Sequence, residues 1–141
     1  MATHAQIVEE ARTWLGVKWQ HQGRTKHGID CVGIPIMVGM VLELTTYNPI
    51  DYPRRPDGSF LKQFDEHLIR KPVRDAVDGD VLVFSESGHV CHCGIHTTKH
   101  GEPAVLHSHA KRRQVIEEPL TQALSVIGKP VFCYAFPGVE D

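Results

Sequence analysis

The chain changes hydrophobic period part-way along its length. Before about residue 70 the apolar positions recur at helical spacing, and after residue 78 they fall in short alternating runs separated by turns. Ile7, Val8, Ala11, Trp14 and Leu15 share one face of a helix predicted over 4–15, with Thr3 as its N-cap and Gly16 as its stop. Residues 17–28 read as a loop. An apolar run from Cys31 predicts a second helix to about Thr45, hydrophobic on nearly all sides and therefore central and buried. Pro35 falls inside it, where a missing N–H removes the bond to the Cys31 carbonyl, so a local irregularity is expected there. A third helix is predicted over 60–68, capped by Ser59, with Phe60, Leu61, Phe64 and Leu68 inward. Strands follow at 81–84, 90–97, 104–109, 114–117 and 130–136, with a short helix over 119–126. Turns are expected at 78–80 and 85–89, and a hairpin turn at 99–102. Helices first and an antiparallel sheet afterwards predict an α+β fold.

Composition adds limits rather than a direction. A length of 141 residues suits one domain over 1–141 with one core. The formal net charge of -2 supplies no basic field for nucleic acid. The most apolar run, 31–44, is shorter than the roughly 20 residues of a membrane span and is interrupted by Pro35, Gly39 and Glu43. No membrane partner and no secretory signal are therefore expected, and synthesis in a reducing cytoplasm is. The segment 48–59, with three prolines and two arginines, is the nearest thing to a linker and is too short to divide two domains. Four cysteines at these spacings make a poor disulfide framework and are expected to be free thiols. Ten histidines are the unusual count, and they direct attention to a site.

Cys31 follows Asp30 at the point where a glycine-containing loop turns into the second helix. Unpaired N–H groups and the macrodipole at a helix start favour a thiolate, the reactive form. In the second strand, alternation puts Cys91, Cys93 and Ile95 on a core face, and His92, Gly94 and His96 on the other. The return strand alternates Val105, His107 and His109 with Leu106 and Ser108, so His92 and His107 are expected side by side. Cys31 then serves as nucleophile, His92 as general base and acid, and His107 as the polar group that orients the imidazole. His89 and His109 are the fallback positions in the same strand pair, and His96 is a candidate to line the cleft. His4, His27, His67 and His100 have no pattern behind them.

The ordered motifs Ala11-Arg-Thr-Trp-Leu-Gly-Val-Lys-Trp, Gly28-Ile-Asp-Cys-Val-Gly, Gly79-Asp-Val-Leu-Val-Phe, His92-Cys-Gly-Ile-His and Val105-Leu-His-Ser resemble those of the NlpC-type cell-wall cysteine peptidases, relatives of papain. Residues 19–24, Trp-Gln-His-Gln-Gly-Arg, are most similar to the phage-tail branch. The resemblance implies a triad of Cys31, His92 and His107, and N-terminal helices packed on an antiparallel sheet. It implies a peptidoglycan stem peptide as substrate, bound near Trp19, Asp30 and His96, with no metal or cofactor. It also implies a virion setting with other phage-tail proteins as partners. The sequence departs from the family pattern at Val32, where a small serine is usual, at Trp19, where a tyrosine is common, and at Pro35, where an aliphatic residue is usual.

Two other functions compete. A zinc module would use Cys91, His92, Cys93, His107 and His109, which are soft and borderline ligands close in sequence. Against it, adjacent strand residues point to opposite faces, and the usual C-x₂-C spacing is absent. A structural tail component would keep the fold without the activity, and the intact Cys31, His92 and His107 argue against that.

Overall fold

The computed structural model describes residues 2–50, 52–53, 58–86 and 88–140. Positions 51 and 54–57 of the expected linker and position 87 of the expected turn lie outside them. Strand β1 (Ala2–Thr3) leads into α1 (His4–Arg12). A short antiparallel pair, β2 (Arg24–Thr25) and β3 (Gly28–Ile29), precedes α2 (Gly33–Val41), and α3 (Phe60–His67) follows. Next come β4 (Ile69–Lys71), a 3₁₀ turn (Val73–Asp75), β5 (Val81–Glu86), β6 (His89–Lys99), β7 (Glu102–His109) and β8 (Gln114–Pro119). The order ends with α4 (Leu120–Ile127), β9 (Pro130–Ala135) and β10 (Val139–Glu140). Six strands form one antiparallel sheet in the order β4-β9-β5-β6-β7-β8, and β10 pairs in parallel with β1. The α+β expectation is met. The predicted positions of the helices and of the five longest strands are recovered within a few residues. The short strands at 2–3, 24–25, 28–29, 69–71 and 139–140 lack a periodic signal and were not expected.

The first two helices end several residues earlier than periodicity predicts, for local reasons. Thr3 caps α1 in a reciprocal box, its hydroxyl accepting from Gln6 N–H at 3.1 Å while the Gln6 side chain accepts from Thr3 N–H at 2.9 Å. Beyond Arg12 the chain tightens into three-residue bonds, Trp14 N–H to Ala11 O and Leu15 N–H to Arg12 O. Trp14 stays buried while Leu15 is exposed. Glu43 adopts a left-handed φ of 59°, which turns the chain so that Leu44 N–H bonds back to Gly39 O and α2 closes.

The sheet buries both faces. Val81, Val83, Cys93, Ile95, Leu106 and Tyr134 pack with Ile7, Ala11, Ile34, Ile36 and Phe64 of the first three helices. On the opposite face, Leu82, Phe84, Val105 and Cys133 pack with Ala123 and Ile127 of α4. The β6–β7 hairpin is closed by His100 (φ 52°) and Gly101 (φ 79°), two consecutive positive φ values that match the twist of the strands. No helix among the described residues is long and apolar enough to cross a membrane.

Gly94 lets β6 and β7 close up beneath the histidines. A Cβ there would lie 2.6 Å from Val105 Cγ2, 2.8 Å from Leu106 O and 2.9 Å from the His107 Cβ. Two of those neighbours cannot swing aside. Gly94→Ala should therefore cost about 1–3 kcal/mol of stability by overpacking, read as a lower urea midpoint. An unchanged midpoint would show that the strands are not this close.

Candidate active site

Cys31 lies in a turn between β3 and α2, two residues ahead of the first residue of α2. The expected helix start at Cys31 is thus displaced, and Pro35 is the reason. It has no N–H to donate to the Cys31 carbonyl, so the first helical bond is Ile36 N–H to Val32 O. The released carbonyl is taken up by the sheet, since Cys93 Sγ lies 3.3 Å from Cys31 O as donor. Complete burial, and then a side-chain hydrogen bond with the Cys31 thiol, push the Cys93 thiol well above its ordinary pKa, so it keeps its proton. Cys93 therefore acts as a buried support beneath the neighbouring Cys31.

Asp30 fixes the other side of the turn. Its Oδ1 accepts from Gly33 N–H at 2.9 Å, the bond of a side-chain cap three residues on. Oδ1 also receives Arg24 Nη1 at 3.0 Å, and Oδ2 receives Gln22 N–H at 2.8 Å and the Tyr52 hydroxyl. Arg24 reaches on to Pro49 O, Asn48 Oδ1 and Tyr52, binding the following loop to the same carboxylate. Burial, then Asp30 itself, raise the Tyr52 phenol and keep it a donor. Asp30 is 4 % exposed and lines the cavity, but its oxygens are engaged by these four donors. Arg24 ends the 19–24 stretch but had no role assigned from sequence, and Tyr52 had no sequence pattern to reveal it. Ser108 Oγ donates to Ile29 O at 2.6 Å, tying this loop to β7.

On the sheet, a bulge falls just ahead of His92. Phe84 pairs with His92, but Ser85 pairs with Val90, so Cys91 is the extra residue. This interrupts the alternation that had put Cys91 in the core, and Cys91 instead lines a cavity of ≈ 230 Å³ together with Cys31, His92, His109 and Trp19. His92 is buried, with its Nε2 2.6 Å from His107 Nδ1. The rings of His92, His107 and His109 form a cluster with centroids 4.9–5.6 Å apart. Burial, then the neighbouring His107 and His109, hold the His92 pKa well below 6.5. His92 is thus a neutral imidazole, not the imidazolium that a resting ion pair with Cys31 would require. Because Nε2 faces His107, Nδ1 is the ring nitrogen left for the cavity.

Of the sequence candidates, Cys31, His92, His109, Trp19 and Asp30 border one cavity, and His107 stands behind His92. His89 is exposed at the start of β6. His96 is not in the cavity lining: its Nδ1 lies 3.1 Å from Asp78 Oδ1, toward the other end of β6. Sharing a strand face with His92 was too weak a criterion, because His96 lies four residues further along that strand. Sequence reasoning missed Glu118, whose Oε2 is 3.1 Å from His107 Nε2. A buried acid on the face of β8 that pairs with Val105 was the available signal. His92 and Cys93 point to opposite faces of β6, and among the described residues no three His, Cys, Asp or Glu side chains are placed to hold a metal ion.

No protein-family model and no curated protein sequence matches the chain. Solved structures do. The NlpC/p60 domain of the peptidoglycan hydrolase SagA superposes with a TM-score of 0.68 at 21% identity, over 96% of this chain and 100% of that one. NlpC1 from Trichomonas vaginalis gives 0.69 at 16% identity, over 96% of this chain and 45% of its own. An N-acetylmuramoyl-L-alanine amidase from Bacteroides uniformis gives 0.58 at 12% identity, over 93% of this chain and 96% of its own. At these identities the likeness is one of fold. The chain has the papain-like NlpC/p60 fold that its motifs led one to expect.

Two outcomes follow from the site's burial and charge. Native iodoacetamide labelling should modify Cys31 first, and Cys93 and Cys133 only on unfolding, since both are buried and burial lifts Cys133 to about 12. Peptide mapping that finds Cys93 or Cys133 labelled first would contradict the arrangement. The second outcome concerns pH. The unfolded chain protonates His92 below about 6.5 while the folded chain does not, so stability is fully present above that pH and falls as the pH drops further. Glu118, held below its ordinary 4.5 first by the His107 hydrogen bond, continues the loss at lower pH. Urea midpoints should fall between pH 7 and pH 5, with a slope from His92 of at most about 1.4 kcal/mol per pH unit, and His92→Gln should flatten this interval. A midpoint that rises on acidification would contradict a neutral His92.

Proposed function

We propose that the protein is a cysteine peptidase that hydrolyses amide bonds in peptidoglycan stem peptides. The observation that carries the reading is a half-buried thiol, Cys31, in one cavity with an imidazole, His92, whose far nitrogen is held at 2.6 Å by His107. A nucleophile, a base and an orienting group are the components of acyl transfer through a covalent intermediate. The substrate class is supported by the fold neighbours, among them the peptidoglycan hydrolase SagA and the N-acetylmuramoyl-L-alanine amidase. The preferred bond in this reading is the one on the carboxyl side of a D-isoglutamyl residue.

In this reading the Cys31 S–H passes its proton to His92 Nδ1 as sulfur bonds to the substrate carbonyl carbon. The carbonyl π pair moves onto oxygen. Backbone N–H groups of the turn receive that oxyanion, with the Trp19 indole N–H as a further donor. The tetrahedral intermediate collapses, the C–N bond breaks, and His92 returns the proton to the leaving nitrogen. Water, deprotonated by His92, then releases the thioester and regenerates the thiol. The proposed setting is a phage tail, on the strength of residues 19–24, where local cleavage would open a host wall.

Purified sacculi are the test. Incubation should release peptides with new amino termini and leave the glycan strands uncut, and EDTA should leave the rate unchanged. His92→Ala should abolish turnover, a loss of about 10²–10⁴-fold or more for a missing general base. His107→Ala should leave a slower enzyme, because it removes orientation rather than the proton acceptor. Fragments with free reducing sugars and intact stems would replace this reading with glycan cleavage.

A further inference from the structure

The hydrogen-bonded series that starts at His92 does not end at His107. Beyond it stands Glu118 on β8, which the β7–β8 register sets opposite Val105, on the face that carries His107. His107 is 1 % exposed and Glu118 6 %. Glu118 Oε2 is 3.1 Å from His107 Nε2, while Oε1 is 3.3 Å from Arg112 Nη2, which anchors the carboxylate from outside.

We propose that Glu118 is a positioning residue that sets the protons of both imidazoles and so makes His92 a base toward the cavity. An ionised carboxylate only accepts, so His107 must carry its proton on Nε2. With that proton placed, a neutral His107 has a lone pair at Nδ1. The 2.6 Å contact then requires His92 Nε2 to be the donor. The His92 proton is consumed there, and His92 Nδ1 is left bare. The opposite arrangement is equally compatible with the ring positions. A His107 protonated on Nδ1 would donate to His92 Nε2, push the His92 proton onto Nδ1, and leave that ring unable to accept a proton from a thiol. The two rings have no internal preference between the arrangements, and the acceptor behind them supplies one. When His92 becomes cationic during acyl transfer, the same carboxylate also lies two bonds of the series away as a fixed countercharge. This inference rests on the reading of Cys31 and His92 as thiol and base.

The test uses the full chain with ¹⁵N-labelled histidine, in wild type, Glu118→Leu and Glu118→Gln. Long-range ¹H–¹⁵N spectra of the wild type at neutral pH should show His107 and His92 each protonated on Nε2 alone. Glu118→Leu should give mixed tautomers at both rings, slower Cys31 alkylation by iodoacetamide, and a kcat on wall peptides about 100-fold lower with KM changed by no more than about twofold. Should that variant fail to fold, Glu118→Gln keeps the size and bonding capacity but removes the charge. The limb of its pH profile set by imidazole protonation should move to lower pH. A wild-type His107 protonated on Nδ1, or on both nitrogens, overturns the proposal. So do unchanged tautomers in Glu118→Leu, or an unshifted limb in Glu118→Gln. The spectra and the alkylation need no substrate. A wild type with the stated tautomers that cuts no wall peptide would therefore overturn the substrate reading and leave this one supported.

Discussion

Cys31 occupies a turn rather than a regular element, and its position depends on the Asp30 carboxylate beside it. That side chain joins the backbone N–H of Gly33 at the start of α2, the N–H of Gln22 in the preceding loop, and the Arg24 and Tyr52 side chains. Arg24 and Asp30 are both largely shielded from solvent. Removing one partner of such a buried pair typically costs about 3–5 kcal/mol, because the other charge is left uncompensated. The same carboxylate that fixes the turn is thereby tied to the folding of the loop in front of it and of the segment around Tyr52. The Cys31 thiol is positioned by a network of its neighbours, with Cys93 and Ser108 attaching the same stretch to β6 and β7.

The sheet contributes the complementary half. Paired strands hold side chains more rigidly than loops, and a buried hydrogen bond between two rings is stronger than one in water. His92 keeps the regular register of β6 against β5, with the bulge at Cys91 falling just ahead of it, and Gly94 lets β7 bring His107 close. A cluster of three imidazoles under this burial disfavours added positive charge, which explains why His92 rests neutral. In the proposed function His92 is then a base awaiting a proton, rather than half of a preformed ion pair.

Much of this was legible in the residues, and what was not has physical causes. The change of period near residue 78 is a direct record of which faces are buried, so the order of helices and strands could be read. His92 and His107 could be paired because alternation is strict on either side of the hairpin. Cys91 was misassigned because a bulge inserts one residue without a marker in composition. The start of α2 was placed two residues early because the helical period continues through Pro35 although the hydrogen bonds do not. Arg24, Tyr52 and Glu118 could not be read because their roles depend on side-chain contacts with Asp30 and His107 that no hydrophobic period marks. His96 shows the converse, a residue on the correct face but too far along its strand to reach the cavity.

The central claim is that Cys31 becomes covalently acylated with His92 as its proton acceptor. Acid quenching during turnover of isolated muropeptides, followed by peptide mapping under conditions that preserve thioesters, tests it most directly. The account predicts an acyl adduct on the peptide that contains Cys31, enriched in His107→Ala if deacylation is slowed, and no adduct or turnover in Cys31→Ala. Turnover that persists in Cys31→Ala, or an adduct carried by Cys91, would contradict it.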